Sequence, residues 1–315
     1  MDSFSVKPEQ DGMRLDQFLA QAARVSRKKA KAWIDAGRVF LGERKVIIAS
    51  WQVQAQETWT HHGAGEVPLP RRRRYLKVYY EDPYLLVVEK PPGVACERTA
   101  QTLTSTLVDD INDYLTRAHP EVPFHYVGLM HRLDRETSGL MVYTLRKEAN
   151  PLSEQFKRHS VGRRYLAMVE GRVAKAEGKI ESVLVKDVAG GGKKMKALPG
   201  RAAGEGRPAI THYRVVERYP QATLVEATLE TGRTHQVRVH LASLGHPVIG
   251  DKLYGSKKPA GRHLLHAAYL EFRHPVTGKK LKFHSKPPRD FQQTLEGFRP
   301  AVGGAKKASQ RIKKQ

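Results

Sequence analysis

One stretch of this chain, His131-Arg132-Leu133-Asp134-Arg135-Glu136-Thr137-Ser138-Gly139, sets a short carboxylate among arginines, beside two hydroxyls and a glycine, just ahead of an apolar run. A guanidinium close to a carboxylate favours its charged form, and the backbone and hydroxyl donors of a turn hold its oxygens still. An aspartate fixed in that way can act as a nucleophile or as a general base. The same pattern also describes a turn aspartate locked by salt bridges, with no chemistry attached. A third use, glycoside hydrolysis, needs a second carboxyl group at a set distance, and Glu136 is the nearby acid available for it.

Several other chemistries are excluded. The chain has one cysteine, Cys96, so it makes neither an internal disulfide nor a thiolate metal cluster. His61 and His62 are adjacent but lack a third ligand at useful spacing, which argues against a metal site. No phosphate-loop pattern with a following Lys-Ser or Lys-Thr occurs, so ATP is not expected. The expectation is an enzyme or binding protein with no cofactor, no nucleotide and no metal.

The elements that must carry Asp134 begin at residue 75. Apolar alternation predicts strands over 75–80, 85–88, 140–145, 165–169, 180–185, 210–216 and 224–229, and helices over 103–115, 152–158 and 235–244. In the last helix Val237, Leu241 and Leu244 mark one face, and Gly245 and Pro247 close it. Strands and helices do not alternate strictly, so the fold class is α+β, with a mixed, largely antiparallel sheet. Gly190 to Gly192 and the stretch from Pro199 to Pro208, with Lys193, Lys194 and Lys196, read as a basic glycine-rich loop.

Residues 12–57 read as a separate small unit of helix, helix and hairpin. Leu15, Phe18 and Leu19 share one helical face; Ser26 caps a second helix that buries Ala30, Trp33 and Ile34 and stops at Gly37. Arg27, Lys28 and Lys29 crowd the first turn of that helix, where the positive end of the dipole disfavours cations unless an anion binds there. They are either a solvated basic face or a phosphate contact. The unit carries nine Lys or Arg against four Asp or Glu, which tilts the reading towards RNA. Residues 58–74, with four consecutive arginines from Arg71, read as a basic linker, and residues 299–315 as a basic tail that stays disordered until it meets RNA.

The whole chain repeats the same bias. Its 315 residues hold 55 Lys or Arg and 32 Asp or Glu, a net charge of +23 that a polyanion, most simply nucleic acid, would neutralise. A hydrophobic fraction of 40% excludes global disorder. No run approaches the roughly 20 apolar residues of a membrane span, and no secretory leader precedes the first helix, so a cytoplasmic monomer that binds RNA and no membrane is expected.

Against this background the segment around Asp134 resembles the catalytic motif of the RluA-type pseudouridine synthases, His-Arg-Leu-Asp followed by two residues and Thr-Ser-Gly. Two further stretches resemble the same family in the expected order: Arg163-Arg164-Tyr165-Leu166-Ala167, and Thr231-Gly232-Arg233-Thr234-His235-Gln236-Val237-Arg238-Val239-His240-Leu241-Ala242 with the following Gly245-His246-Pro247 and Gly250-Asp251. Residues 14 to 46 resemble an S-four-type RNA-binding domain. Lys90-Pro91-Pro92-Gly93 is similar to an early family loop, whereas Val94-Ala95-Cys96-Glu97 departs from the usual continuation.

The resemblance implies a pseudouridine synthase domain over 75–298 behind the RNA-binding unit. It implies Asp134 as the catalytic aspartate, Tyr165 as an aromatic beside the base that accepts a proton, and Arg233 as the partner of the aspartate. His131 and Arg132 would shape the loop and face RNA, and Arg14, Arg27, Lys28, Lys31 and Arg38 would contact RNA from the N-terminal unit. For Tyr165, simple core stacking stays open. The implied substrate is a uridine flipped out of structured RNA, large-subunit ribosomal RNA before transfer RNA. A non-catalytic RNA-binding or ribosome-assembly factor on the same scaffold is the alternative from another class.

Overall fold

The computed structural model describes residues 1–42, 44–63, 75–98, 105–122, 124–187, 194–199 and 206–298. The arginine run 71–74, the glycines 190–192 and the basic tail 299–315 lie outside these residues.

The N-terminal part comprises β1 (Asp2–Ser5), α1 (Leu15–Ala22), α2 (Arg27–Asp35), β2 (Val39–Leu41), β3 (Arg44–Lys45) and β4 (Thr58–His61). The strands form one sheet in the order β1-β4-β2-β3. Ser26 caps α2, its hydroxyl accepting from the Lys29 amide at 3.2 Å, and Gly37 leaves the helix at φ +65°. Leu15, Phe18, Leu19, Ala30, Ile34 and Trp59 close a core of their own. The expected linker therefore starts too early: 58–61 is a strand paired with both β1 and β2. Long-range pairing with Asp2–Ser5 decides this, and a scan of local turn residues has no access to it. His61 holds Asp2 at 3.1 Å and stacks on Trp33 at 3.9 Å, a structural role.

The remainder comprises β5 (Lys77–Glu81), β6 (Leu85–Lys90), α3 (Leu107–Ala118), β7 (Gly128–Leu129), β8 (Ser138–Thr144), α4 (Leu152–Lys157), β9 (Gly162–Glu170), β10 (Glu177–Asp187), β11 (Lys194–Leu198), β12 (Arg207–Tyr219), β13 (Ala222–Leu229), α5 (Gln236–Ser243), β14 (Leu265–Arg273), β15 (Lys280–His284) and α6 (Arg289–Gly297). Its sheet runs β11-β10-β12-β13-β9-β14-β8-β6-β5, with β15 on β14 and β7 on β8. Every pairing is antiparallel except β8 with β14. The chain is thus α+β with a largely antiparallel sheet, as expected.

Strands β6 and β8 lie next to the β5 edge of this sheet, yet are buried on both faces. Leu86, Val88, Met141 and Tyr143 pack under α3 with Tyr165 and Val237, while Leu85, Val87, Leu140 and Val142 pack on the opposite face with Leu270 and Phe272. A period of two therefore sends alternate residues of one apolar run into two cores. Helix α3 begins at a capping box, Thr106 with Asp109.

Further features depart from the sequence reading, among them β1, β7 and helix α3, which runs over Leu107–Ala118 rather than 103–115. Lys194 and Lys196 belong to β11, paired with β10, rather than to a loop. Leu244 is exposed, since α5 ends at Ser243. Strands β14 and β15 and helix α6 were not anticipated; β14 bridges β9 and β8 and so joins the two halves of the sheet.

Candidate active site

Asp134 sits in the turn that enters β8, its carbonyl accepting from the Thr137 amide at 3.0 Å. The residues after it fasten that turn to β14. The Thr137 hydroxyl meets His263 Nε2 at 2.8 Å and the Ser138 hydroxyl meets His266 Nδ1 at 3.0 Å. Gly139 has φ +124°, and a Cβ there would fall 2.3 Å from the carbonyl oxygen of Ala267, so only glycine lets the two strands run side by side. Arg262, buried, donates to the Glu136 carbonyl at 3.0 Å and pairs with Asp290 of α6 at 2.6 Å. The Thr-Ser-Gly sequence is thus the attachment of the Asp134 turn to the sheet.

The other side of the turn rests on the 90–96 loop. Fully buried Lys90 spends its three donors on the carbonyls of Pro91, Val94 and Arg135, at 2.8 to 2.9 Å, and burial pulls its ammonium down to about 8. The Cys96 thiol donates to the Leu133 carbonyl at 3.1 Å and accepts from the Leu133 amide at 3.3 Å. Cys96, part of the divergent stretch after Gly93, therefore braces the residue next to Asp134. Burial pushes its thiol up, away from thiolate character.

The arginine that grips Asp134 is Arg238. Its Nη1 donates to Asp134 Oδ2 at 2.8 Å, while Nε and Nη2 make a two-point contact with Asp251 at 2.7 and 2.9 Å. Arg233, expected in this role, instead donates from Nε to the Pro208 carbonyl at 3.1 Å. The reason is the geometry of α5. Gln236 anchors the helix start, accepting from the Thr231 hydroxyl at 2.8 Å and the Arg233 amide at 3.0 Å and donating to the Ile210 carbonyl at 2.9 Å. That fixes Arg233 in the loop before the helix and points Arg238 inward. An arginine flanked by valines in a buried helix was a signal for a paired charge, but nothing local named its partners.

Oδ1 of Asp134 has His235 Nε2 at 3.9 Å and no hydrogen bond among the described residues, so one oxygen remains for a bound molecule. His235 adopts φ +58° and its Nδ1 meets the Tyr254 hydroxyl at 3.0 Å. Burial lowers its imidazole below the ordinary range, against the pull of Asp134.

Asp134, about a quarter exposed, opens on a cavity of about 640 Å³ that Tyr165, Arg163, Arg233, His131 and Arg132 also line. Tyr165 projects from β9, buried, and that burial raises its phenol above the ordinary value while Arg163 opposes the shift. His131 does not present a charge to RNA. It stacks on Phe156 at 4.8 Å, accepts from the Val142 amide at 3.2 Å, and burial drives it down to about 3. Arg132 is exposed and pairs with Glu97 at 3.2 Å. A larger cavity of about 870 Å³, beside α3, shares no lining residue with this one.

These three stretches, converging on one carboxylate in a basic cavity, are matched as a unit by comparison with known proteins. The RNA pseudouridylate synthase model matches residues 84–243 and the S4 domain model matches residues 13–58. The chain belongs to the RNA pseudouridylate synthase family. It is an RNA pseudouridine synthase carrying an N-terminal S4 RNA-binding domain. Among its relatives, a protein of Zymomonas mobilis named ribosomal large subunit pseudouridine synthase D is 33% identical over 92% of this chain and 95% of its own length. A protein of the same name from Xanthomonas campestris is 35% identical over 91% and 89%. An uncharacterized RNA pseudouridine synthase of Bacillus subtilis is 33% identical over 92% and 96%. Of solved structures, human RNA pseudouridylate synthase domain containing 1 is 25% identical with a TM-score of 0.56, covering 73% of this chain and 96% of that one. Human RNA pseudouridylate synthase domain containing 4, at 24% identity and a TM-score of 0.59 over 70% and 92%, shares the fold.

In the S4 domain of this pseudouridine synthase, three of the expected RNA contacts have internal partners. Buried Asp16 takes Arg14 at 3.1 Å and Arg27 at 2.9 Å, which offsets the cations at the α2 N-terminus without any anion from outside. Lys28 is exposed and has no such contact among the described residues, Lys31 pairs with Asp35 along α2, and Arg38 is half-buried. Among the described residues no helix is long and apolar enough to cross a membrane.

Proposed function

We propose that this enzyme converts a uridine of large-subunit ribosomal RNA to pseudouridine, with Asp134 as the reacting carboxylate and Tyr165 as the proton acceptor. The nucleoside leaves its stack and enters the 640 Å³ cavity, at an unstacking cost of a few kcal/mol that phosphate contacts offset. The bond from ribose carbon 1 to base nitrogen 1 breaks, the uracil turns, and carbon 5 bonds to the same ribose carbon. The carbon 5 proton passes to the Tyr165 oxygen as the hydroxyl proton that burial keeps there is handed on to solvent, and nitrogen 1 gains a proton, so the reaction balances as an isomerisation by a monomer with no nucleotide, metal or other cofactor. The ribosomal substrate is carried from the names of the relatives in Zymomonas and Xanthomonas.

The observation that carries the reading is Asp134 itself, with one oxygen held by Arg238 and the other offered to the cavity. The test is to treat cellular RNA lacking this modification with wild-type protein and with Asp134→Asn, and to map new pseudouridines by chemical reverse-transcription stops. New stops in large-subunit RNA with wild type alone are expected, with RNA binding by the variant retained. Stops made equally by Asp134→Asn remove the aspartate from its role, and stops confined to transfer RNA move the substrate.

A further inference from the structure

Among the described residues three arginines are buried, Arg163, Arg238 and Arg262. Two of them have carboxylates: Arg238 holds Asp134 and Asp251, and Arg262 holds Asp290. Arg163 pairs with none among the described residues, and its buried Nε and Nη2 have no hydrogen-bond partner. A buried cation without a counter-ion is unfavourable, and its position in the fold shows that room is kept for it. A Cβ on Gly232 would lie 2.4 Å from Arg163 Nη1, although Gly232 needs no unusual backbone angle. Gly232 leaves the guanidinium room in the pose it adopts here, and the Phe156 ring lies 5.8 Å from it.

The place it occupies is the wall of the Asp134 cavity. Arg163 and Tyr165 are two residues apart on β9, so their side chains share one face of the strand. Arg132, Arg135, Lys157 and Arg233 line the same cavity against only two acids, Glu97 and Asp134. We propose that Arg163 receives the phosphodiester group of the bound nucleotide, on the reading that a uridine enters this cavity. A uracil carbonyl would satisfy a hydrogen bond and leave the charge uncompensated. A phosphate does both, with two parallel N–H···O bonds to the planar fork.

The test uses the full-length protein and uridylyl-(3′→5′)-uridine, compared with its neutral methylphosphonate analogue and with orthophosphate. Calorimetry of the wild type should show the charged dinucleotide binding at least tenfold tighter than either. Arg163→Gln should lose most of the preference for the charged over the neutral dinucleotide, keeping only what the other cavity cations supply, and Arg163→Lys should fall between, keeping the charge without the fork. Because the arginine has no carboxylate to lose, Arg163→Gln should melt no lower than wild type. An Arg163→Gln protein that discriminates as wild type does, or that fails to fold, overturns the proposal. So does orthophosphate binding as tightly as the dinucleotide. Since nothing is isomerised in this comparison, a wild type that binds the dinucleotide but modifies no ribosomal RNA refutes the substrate reading and leaves the phosphate site intact.

Discussion

Replacing Arg238 by methionine separates what this residue does for the fold from what it does for Asp134. Arg238 is almost wholly buried, and of its two carboxylates Asp251 is 1% exposed and Asp134 24%. Removing one partner of a buried pair costs about 3 to 5 kcal/mol, because the remaining charge is stranded. Most of that cost belongs to Asp251, which solvent does not reach. For a domain of this size about 1 kcal/mol moves the melting temperature by roughly 2 to 4 °C, so Arg238→Met should melt about 6 to 20 °C lower. Adding Asp251→Asn removes the stranded charge, and its side-chain oxygen can still accept from the Tyr254 amide. The double variant should therefore regain most of the lost stability. It should not regain activity, because Asp134 still lacks its anchor, and a misplacement of about 1 Å costs on the order of 100-fold. Melting followed by circular dichroism, beside tritium release from RNA labelled at carbon 5 of uridine, reads both quantities. An active double variant would refute the anchoring role; a single variant melting within about 2 °C of wild type would refute the buried-pair argument.

Tyr165→Phe should lower tritium release by at least about 100-fold, the range for loss of a general acid or base, while RNA binding is kept; near-normal release would reduce Tyr165 to packing. Burial holds His131 at about 3 and His240, His263 and His266 at about 4, all below the unfolded value of about 6.5. Their contribution to stability is complete above pH 6.5 and is lost as pH falls towards 4, because the unfolded chain binds more protons in that window. Urea unfolding should therefore give a lower stability at pH 5 than at pH 7.5, and equal values would contradict neutral burial. Lys28→Ala and Lys31→Ala should each weaken binding to ribosomal RNA uniformly and flatten the dependence of log affinity on log salt by about one. An unchanged slope would take α2 off the RNA interface.

The parts of this protein that were legible in its sequence are those governed by neighbours along the chain. Ser26 ahead of the basic, apolar-periodic run from Arg27 reads as a helix cap, and the short apolar run 85–88 reads as a strand; that both of its faces are buried is set by the packing around it. Composition marked the polyanion partner, and the turn chemistry around Asp134 marked the carboxylate. What tertiary structure alone decided is which groups from remote segments meet. Asp134 and Arg238 are 104 residues apart, and only the packing of α5 against the sheet selects Arg238 over Arg233. Thr58–His61 becomes a strand because Asp2–Ser5 is there to pair with it, and Gly139 must be glycine because β14 passes at contact distance. The difference is physical: caps and periodicity are set within a turn or two of backbone, whereas a counter-ion, a sheet neighbour or a close approach depends on chain that is distant until the molecule folds.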